Sequence, residues 1–213
     1  MHYFFYFWVM SKTREKILRA ARLLFNRDGV ANVSQRMIAN HIAISPGNLT
    51  YHFQKRQEII DALFEEMVDN FEAVKPKGQA VESVLPDLEK WLKAMYKVQF
   101  DFRFIPTNFA FITYSNQAIK KAYAKLAKAR GEVFNSFIDV LISENLMRDQ
   151  ELTNEYELFL KRFQLLSDHW VLNVQNIEEE VSLKHTREYT QNVMQSLYPY
   201  LTEKGKKKFN QLA

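Results

Sequence analysis

The stretch from Ile38 to Ile60, IANHIAISPGNLTYHFQKRQEII, interrupts a helix-forming run with Pro46-Gly47 and follows it at once with polar and aromatic side chains. Ser45 is a good N-cap, and Pro46 then falls on the first helical position, where its missing N–H costs nothing and its fixed φ favours the helix. The Pro-Gly pair therefore starts a helix. Ahead of it, a short helix opens after Ser34, carries Met37, Ile38 and Ile42 as apolar positions, and ends near His41. The pattern is helix, tight turn, helix.

In the second of these helices Leu49 and Phe53 are four apart and face inward, which leaves Gly47, Asn48, Thr50, Tyr51 and His52 outside. That outer set has amide, imidazole and hydroxyl groups, flat rings, a small residue for close approach, and no acid. It suits a helix that reads base edges in a DNA major groove. The plainer alternative, an exposed polar helix, more usually carries Glu and Lys.

The flanking sequence extends the array. A helix is expected from a cap at Ser11 or Thr13 to about Asp28, with Ile17, Leu18, Ala21, Leu24 and Phe25 on one face and Gly29 as its stop. Downstream, a helix runs from Glu58 to about Val74 before Pro76-Lys77-Gly78, with Ile59, Ile60, Leu63, Phe64, Met67, Val68 and Phe71 as its apolar stripe. Charge divides sharply between the two regions. From Ser11 to Arg56 there are nine Lys and Arg against two acids; from Gln57 to Lys75 there is one Lys against six acids. Local basic clustering is the footprint of phosphate-backbone binding, although a solvated helix face can also produce it.

The whole chain of 213 residues is 47% hydrophobic with five Gly and five Pro, and helical spacing runs almost throughout, so an all-α fold is expected. The absence of cysteine excludes disulfides and thiolate metal sites and fits a cytoplasmic protein. Residues 1–10, MHYFFYFWVM, form an apolar N-terminal extension too short to span a bilayer of about 30 Å. Met10 is expected to be the natural start, with an apolar arm packed on the protein as the alternative. No phosphate loop, metalloprotease or nucleophile-elbow motif occurs, and the five histidines are dispersed. No enzymatic activity, cofactor, metal or membrane association is expected.

Taken together, ILRAARLLF, MIANHI, ISPGNLTYHF and KRQEII closely resemble the N-terminal DNA-binding domain of TetR/AcrR-type transcriptional regulators, over about Thr13 to Phe64. Two departures stand out. The family often has Gly where Ala43 stands, and Tyr directly after the Leu where Thr50 stands; a left-handed turn at Ala43 would cost on the order of 1 kcal/mol. The resemblance implies a three-helix helix-turn-helix domain at 11–56, a linker helix at 57–78, and a larger helical effector-binding and dimerisation domain at 79–213. It implies phosphate contacts from Ser34, Gln35, Arg36, Ser45 and Thr50, a base-facing set of Asn48, Tyr51 and His52 with Gly47 allowing approach, and a cationic clamp at Lys55 and Arg56. Its implied partners are a double-stranded DNA operator, a second copy of the chain, and a small-molecule effector.

The remainder reads as helices at about 79–101, 104–113, 116–146, 154–176, 183–199 and 202–211. A dimer seam is expected from Phe159, Phe163, Leu166, Trp170 and Val174 with Val193, Leu197 and Leu201; core within one chain is the plainer reading, and the two are not exclusive. The aromatic stretch Phe100–Tyr114 does not fit one narrow helix stripe. An apolar or amphipathic effector is expected among Trp91, Met95, Phe104, Phe111, Phe137 and Trp170, with Arg103, Thr107, Asn108 or His169 as polar handles; the plainer alternative for the aromatic residues, taken one by one, is core packing. A ligand-released repressor accounts for all three regions; a helical interaction or lipid-carrier protein accounts only for the last.

Overall fold

A computed structural model describes residues 2–76, 83–178 and 180–212. Among these, helices are the only extended elements. In chain order they are His2–Asp28 (α1), Gln35–His41 (α2), Pro46–His52 (α3), Arg56–Ala73 (α4), Val84–Asp101 (α5), Phe104–Thr107 (α6), Phe109–Ser115 (α7), Gln117–Ser143 (α8), Glu155–Ile177 (α9), Leu183–Leu197 (α10) and Glu203–Phe209 (α11). Single 3-10 turns occur at Val30–Asn32 and Tyr198–Tyr200. None of the described helices is long and apolar enough to cross a membrane.

The first helix begins earlier than the caps at Ser11 and Thr13 suggest, because no Gly or Pro precedes Gly29 to stop it. Its end is as expected. Gly29 has φ 79 and ψ 150, a backbone region essentially restricted to glycine, and it turns the chain out of α1. The expected helix at 104–113 is split at Asn108, whose φ of −120 and ψ of 20 end α6 and begin α7. Of the expected helix at 79–101, residues 79–82 lie outside the described residues, as do Lys77 and Gly78.

The chain divides into two compact units. One comprises Met1–Asp69 with Phe102–Lys120, the other Asn70–Asp101 with Lys121–Ala213. The sequence-based division assigned 102–120 to the C-terminal part. In the structure this segment is tied into the first unit by side chains that satisfy backbone groups. Asn26 Oδ1 accepts from the Phe104 N–H at 2.9 Å, and Asn108 Oδ1 accepts from the Val30 N–H at 3.3 Å. Phe25 and Phe104 pack with ring centroids 5.4 Å apart, and Asn116 Nδ2 donates to Asp61 at 2.8 Å. Such distant pairings leave no periodic trace in the sequence.

The second unit is built on α5, α8, α9 and α10. Trp91, Phe134, Phe137 and Phe163 form a close-packed aromatic cluster, with Phe134 stacked on Phe163 at 4.0 Å. Beside it a buried polar network joins α5 to α9: Trp170 Nε1 donates to Gln99 Oε1 at 2.6 Å, Gln99 Nε2 donates to the Ser167 carbonyl, and Tyr96 and Ser167 share a hydroxyl bond. Phe159, Phe163, Trp170, Val174, Val193, Leu197 and Leu201 are buried within the single chain, so they form its core and are not a seam open to another copy. Leu166 is half-buried. The apolar residues of α9 that do face outward are Leu158, Leu165 and Ile177, joined by Leu183 at the start of α10.

The turn between α2 and α3 carries the strain that its sequence foreshadowed. Ala43 has φ 54, left-handed for a residue with a Cβ. Ala43→Gly is expected to stabilise the protein by about 1 kcal/mol, read as a higher denaturant midpoint at unchanged slope; no gain would mean that the turn relaxes around the methyl group.

Candidate nucleic-acid interface

Two short helices present the site, and each is set by a serine. Ser34 Oγ accepts from the Met37 N–H at 3.2 Å and caps α2; Ser45 Oγ accepts from the Asn48 N–H at 3.1 Å and caps α3, with Pro46 in the first turn. A capping oxygen uses a lone pair, so each hydroxyl keeps its proton to donate outward. Leu49 is fully buried and Phe53 nearly so, which fixes the rotation of α3. Gly47, Asn48, Thr50 and Tyr51 are consequently exposed, Tyr51 to 62%.

The exposed face is unevenly free to bind. Arg36 and Lys55 are exposed cations with no ion-pair partner among the described residues. Tyr51 stands edge-on to His52, ring centroids 5.5 Å apart. Burial, and secondarily the charge of Arg14, lowers the His52 pKa below its ordinary 6.5, so at pH 7 the imidazole is neutral and offers one donor and one acceptor. Gly47 has open space where a Cβ would stand, its nearest neighbour being Ser45 Oγ at 4.0 Å. Nothing inside the protein requires glycine there.

Three expected contacts are engaged inward. Thr50 Oγ1 donates its only proton to the Pro46 carbonyl at 2.9 Å. Gln35 Nε2 donates to the Phe53 carbonyl at 2.8 Å, tying the start of α2 to the end of α3. Arg56 does not extend as a clamp. Its Nη1 donates to the Val30 and Val33 carbonyls at 3.1 Å each, and its guanidinium lies over the Phe111 ring at 5.8 Å. Sequence reasoning missed this because the 3-10 turn at Val30–Asn32 leaves carbonyls without helical partners, and their need for a donor appears only once the chain folds back. Glu58 has a local role as well, its Oε2 accepting from the Gln54 N–H ahead of α4 at 2.7 Å.

The six aromatic and Met residues expected around an effector fall in different places. Trp91, Met95, Phe137 and Trp170 lie in the second unit, all buried in its close-packed core. Phe104 and Phe111 lie in the first unit, the former packed on Phe25 and the latter under Arg56. Of the polar handles, Asn108 bonds Val30 while Thr107 Oγ1 donates to the Arg103 carbonyl; His169 is exposed, with Nδ1 3.1 Å from the Leu165 carbonyl. A charged cluster that sequence reasoning passed over, Arg130 with Asp168 and Tyr123, lies on the buried side of α8. Its signal was an arginine between Leu126 and Phe134 at helical spacing.

Comparison with known proteins agrees with this geometry. Residues 17–63 match the family model described as bacterial regulatory proteins of the tetR family, and residues 63–209 match the model described as bacterial transcriptional repressor. A 51-residue segment is 41% identical to the HTH-type transcriptional regulator UidR of Escherichia coli; it makes up 24% of this chain and spans about a quarter, 26%, of that relative's length. A TetR-family regulator from Marinobacter aquaeolei superposes with a TM-score of 0.82 at 23% identity, covering 94% of this chain and 96% of that one. A putative transcriptional regulator from Saccharomonospora viridis, solved in complex with choline, gives 0.65 at 18% identity over 91% and 100%. With an acid-free helix exposed beside two serine-capped helix starts, and with family matches running from residue 17 to residue 209, this chain belongs to the TetR family as a DNA-binding transcriptional regulator.

Proposed function

We propose that the protein is a homodimeric cytoplasmic repressor that holds its operator through α3 and is released from it by an apolar or amphipathic small molecule. The observation that carries this reading is the outer face of α3, exposed and free of acids, flanked by the free cations Arg36 and Lys55. Asn48 and Tyr51 read bases, neutral His52 adds a donor and an acceptor, and Gly47 permits the approach. Ser34, Ser45, Arg36 and Lys55 hold phosphates, while Gln35, Thr50 and Arg56 keep the reading helices in place. A gel shift on DNA flanking the protein's own gene, with nonspecific competitor present, tests it. Retention that disappears with competitor would leave only nonspecific binding.

Dimerisation is assigned to the outward apolar residues of α9. Leu158 and Leu165 are seven apart, so they share one side of the helix, and Leu165 is 64% exposed. Effector control is assigned to the second unit; that the similar Saccharomonospora regulator was solved in complex with choline supports small-molecule binding by a protein of this fold. Linkage limits the effect: moving a conformational ratio from 1:99 to 99:1 needs about 5.5 kcal/mol of differential binding.

Separate measurements distinguish these roles. Gly47→Ala should leave the fold intact and stabilise it by roughly 0.5–1 kcal/mol, yet weaken operator binding; unchanged operator affinity would remove α3 from the DNA contact. Lys55→Ala should flatten the dependence of log affinity on log salt by about one unit. Arg56→Ala should instead lower the melting temperature, because it strands two carbonyls, and leave the salt slope near the wild-type value. A reversal of those two outcomes would restore Arg56 as the clamp. Leu165→Glu should yield monomers in sedimentation analysis, whereas Phe163→Ala should cost about 3–5 kcal/mol of stability; dimers that survive Leu165→Glu place the seam elsewhere.

A further inference from the structure

We propose that the Arg130 cluster of the second unit is a binding site for a neutral, flat, apolar molecule that presents a carbonyl oxygen to the Arg130 Nε–H. As an effector site it rests on the ligand-released reading above. Arg130 is 7% exposed and sits on α8 between the buried Leu126 and Phe134. Its Nη2 donates to Asp168 Oδ1 at 2.5 Å, and the Tyr123 hydroxyl donates to the same oxygen at 3.2 Å. Burial raises the Tyr123 pKa, which keeps that hydroxyl protonated. The guanidinium carbon lies 5.3 Å from the Phe71 ring centre and 5.7 Å from that of Tyr123. Arg130 Nε is buried with no hydrogen-bond partner among the described residues.

These facts select the ligand by charge. The ion pair with Asp168 already balances Arg130, so a carboxylate would add an uncompensated negative charge to a buried site. A cation would have to displace the guanidinium from the two rings and from Asp168. A neutral oxygen needs neither, since its lone pair satisfies a donor that burial otherwise leaves unmade. Phe71 and Tyr123, beside the guanidinium, make the surroundings of that oxygen aromatic and apolar, which favours a flat apolar body next to it. Phe71 also lies in the last turn of α4, the helix that begins at Arg56, so the ligand would touch an element that continues into the reading unit.

The test uses the full chain and four matched probes: acetophenone, ethylbenzene, benzoate and benzylammonium. Calorimetry should show acetophenone binding at least tenfold tighter than the other three, and the Arg130 Nε–H resonance should move on its addition. Arg130→Lys keeps the charge but removes the Nε–H, and should make acetophenone and ethylbenzene equivalent. Should that variant fail to fold, Arg130→Met combined with Asp168→Leu removes both members of the pair, leaves no stranded charge, and should show the same equivalence. Equal binding of ketone and hydrocarbon by the wild type, or a ketone preference that persists in a folded variant, overturns the proposal. Operator affinity is read separately: ketone binding through Arg130 without loss of operator affinity upholds the site and removes its regulatory role.

Discussion

Two helices of seven residues cannot hold their shape in water, because nucleating a turn fixes several dihedral angles for one hydrogen bond and isolated helices shorter than about 12 residues are marginal. Both α2 and α3 are of this length. Their existence depends on what surrounds them: serine caps at both starts, burial of Ile38, Ala39, Leu49 and Phe53, and the Gln35 bond to the Phe53 carbonyl. The outward face of α3 is therefore set by packing. Leu49 and Phe53 set the rotation of α3, and the outward direction of Asn48 and Tyr51 follows from that.

The sequence was most legible where structure is local. The Ser45 cap, the proline-led start of α3, the inward turn of Leu49 and Phe53 and the left-handed Ala43 all depend on residues a few positions apart. It was least legible where partners are distant. The guanidinium of Arg56 turns inward because carbonyls more than twenty residues earlier lack donors, and an exposed phosphate clamp was the natural expectation for a cation beside Lys55. On α9 two apolar stripes compete, one of Phe and Trp and one of Leu. Periodicity identifies both but does not say which is covered by the protein's own chain.

Phe102–Lys120 illustrates the same limit at larger scale. By composition it belongs with the aromatic C-terminal half, yet Asn26, Asn108 and Asn116 bind it to the unit that carries α2 and α3. The amides of these three asparagines meet two backbone N–H groups and a carboxylate, and Phe104 packs on Phe25 beside them. Arg22 adds to it, paired with Glu66 at 2.9 Å while lying over the Phe102 ring.

The lowered pKa of His52 has a physiological consequence. A histidine at its ordinary pKa would gain charge as a cell acidifies from neutrality, and promoter occupancy would then follow proton concentration through an added phosphate attraction. Burial, and secondarily the charge of Arg14, favours the neutral imidazole, so His52 gains its charge at a more acidic pH than an unperturbed histidine would, and the onset of any such dependence moves to lower pH.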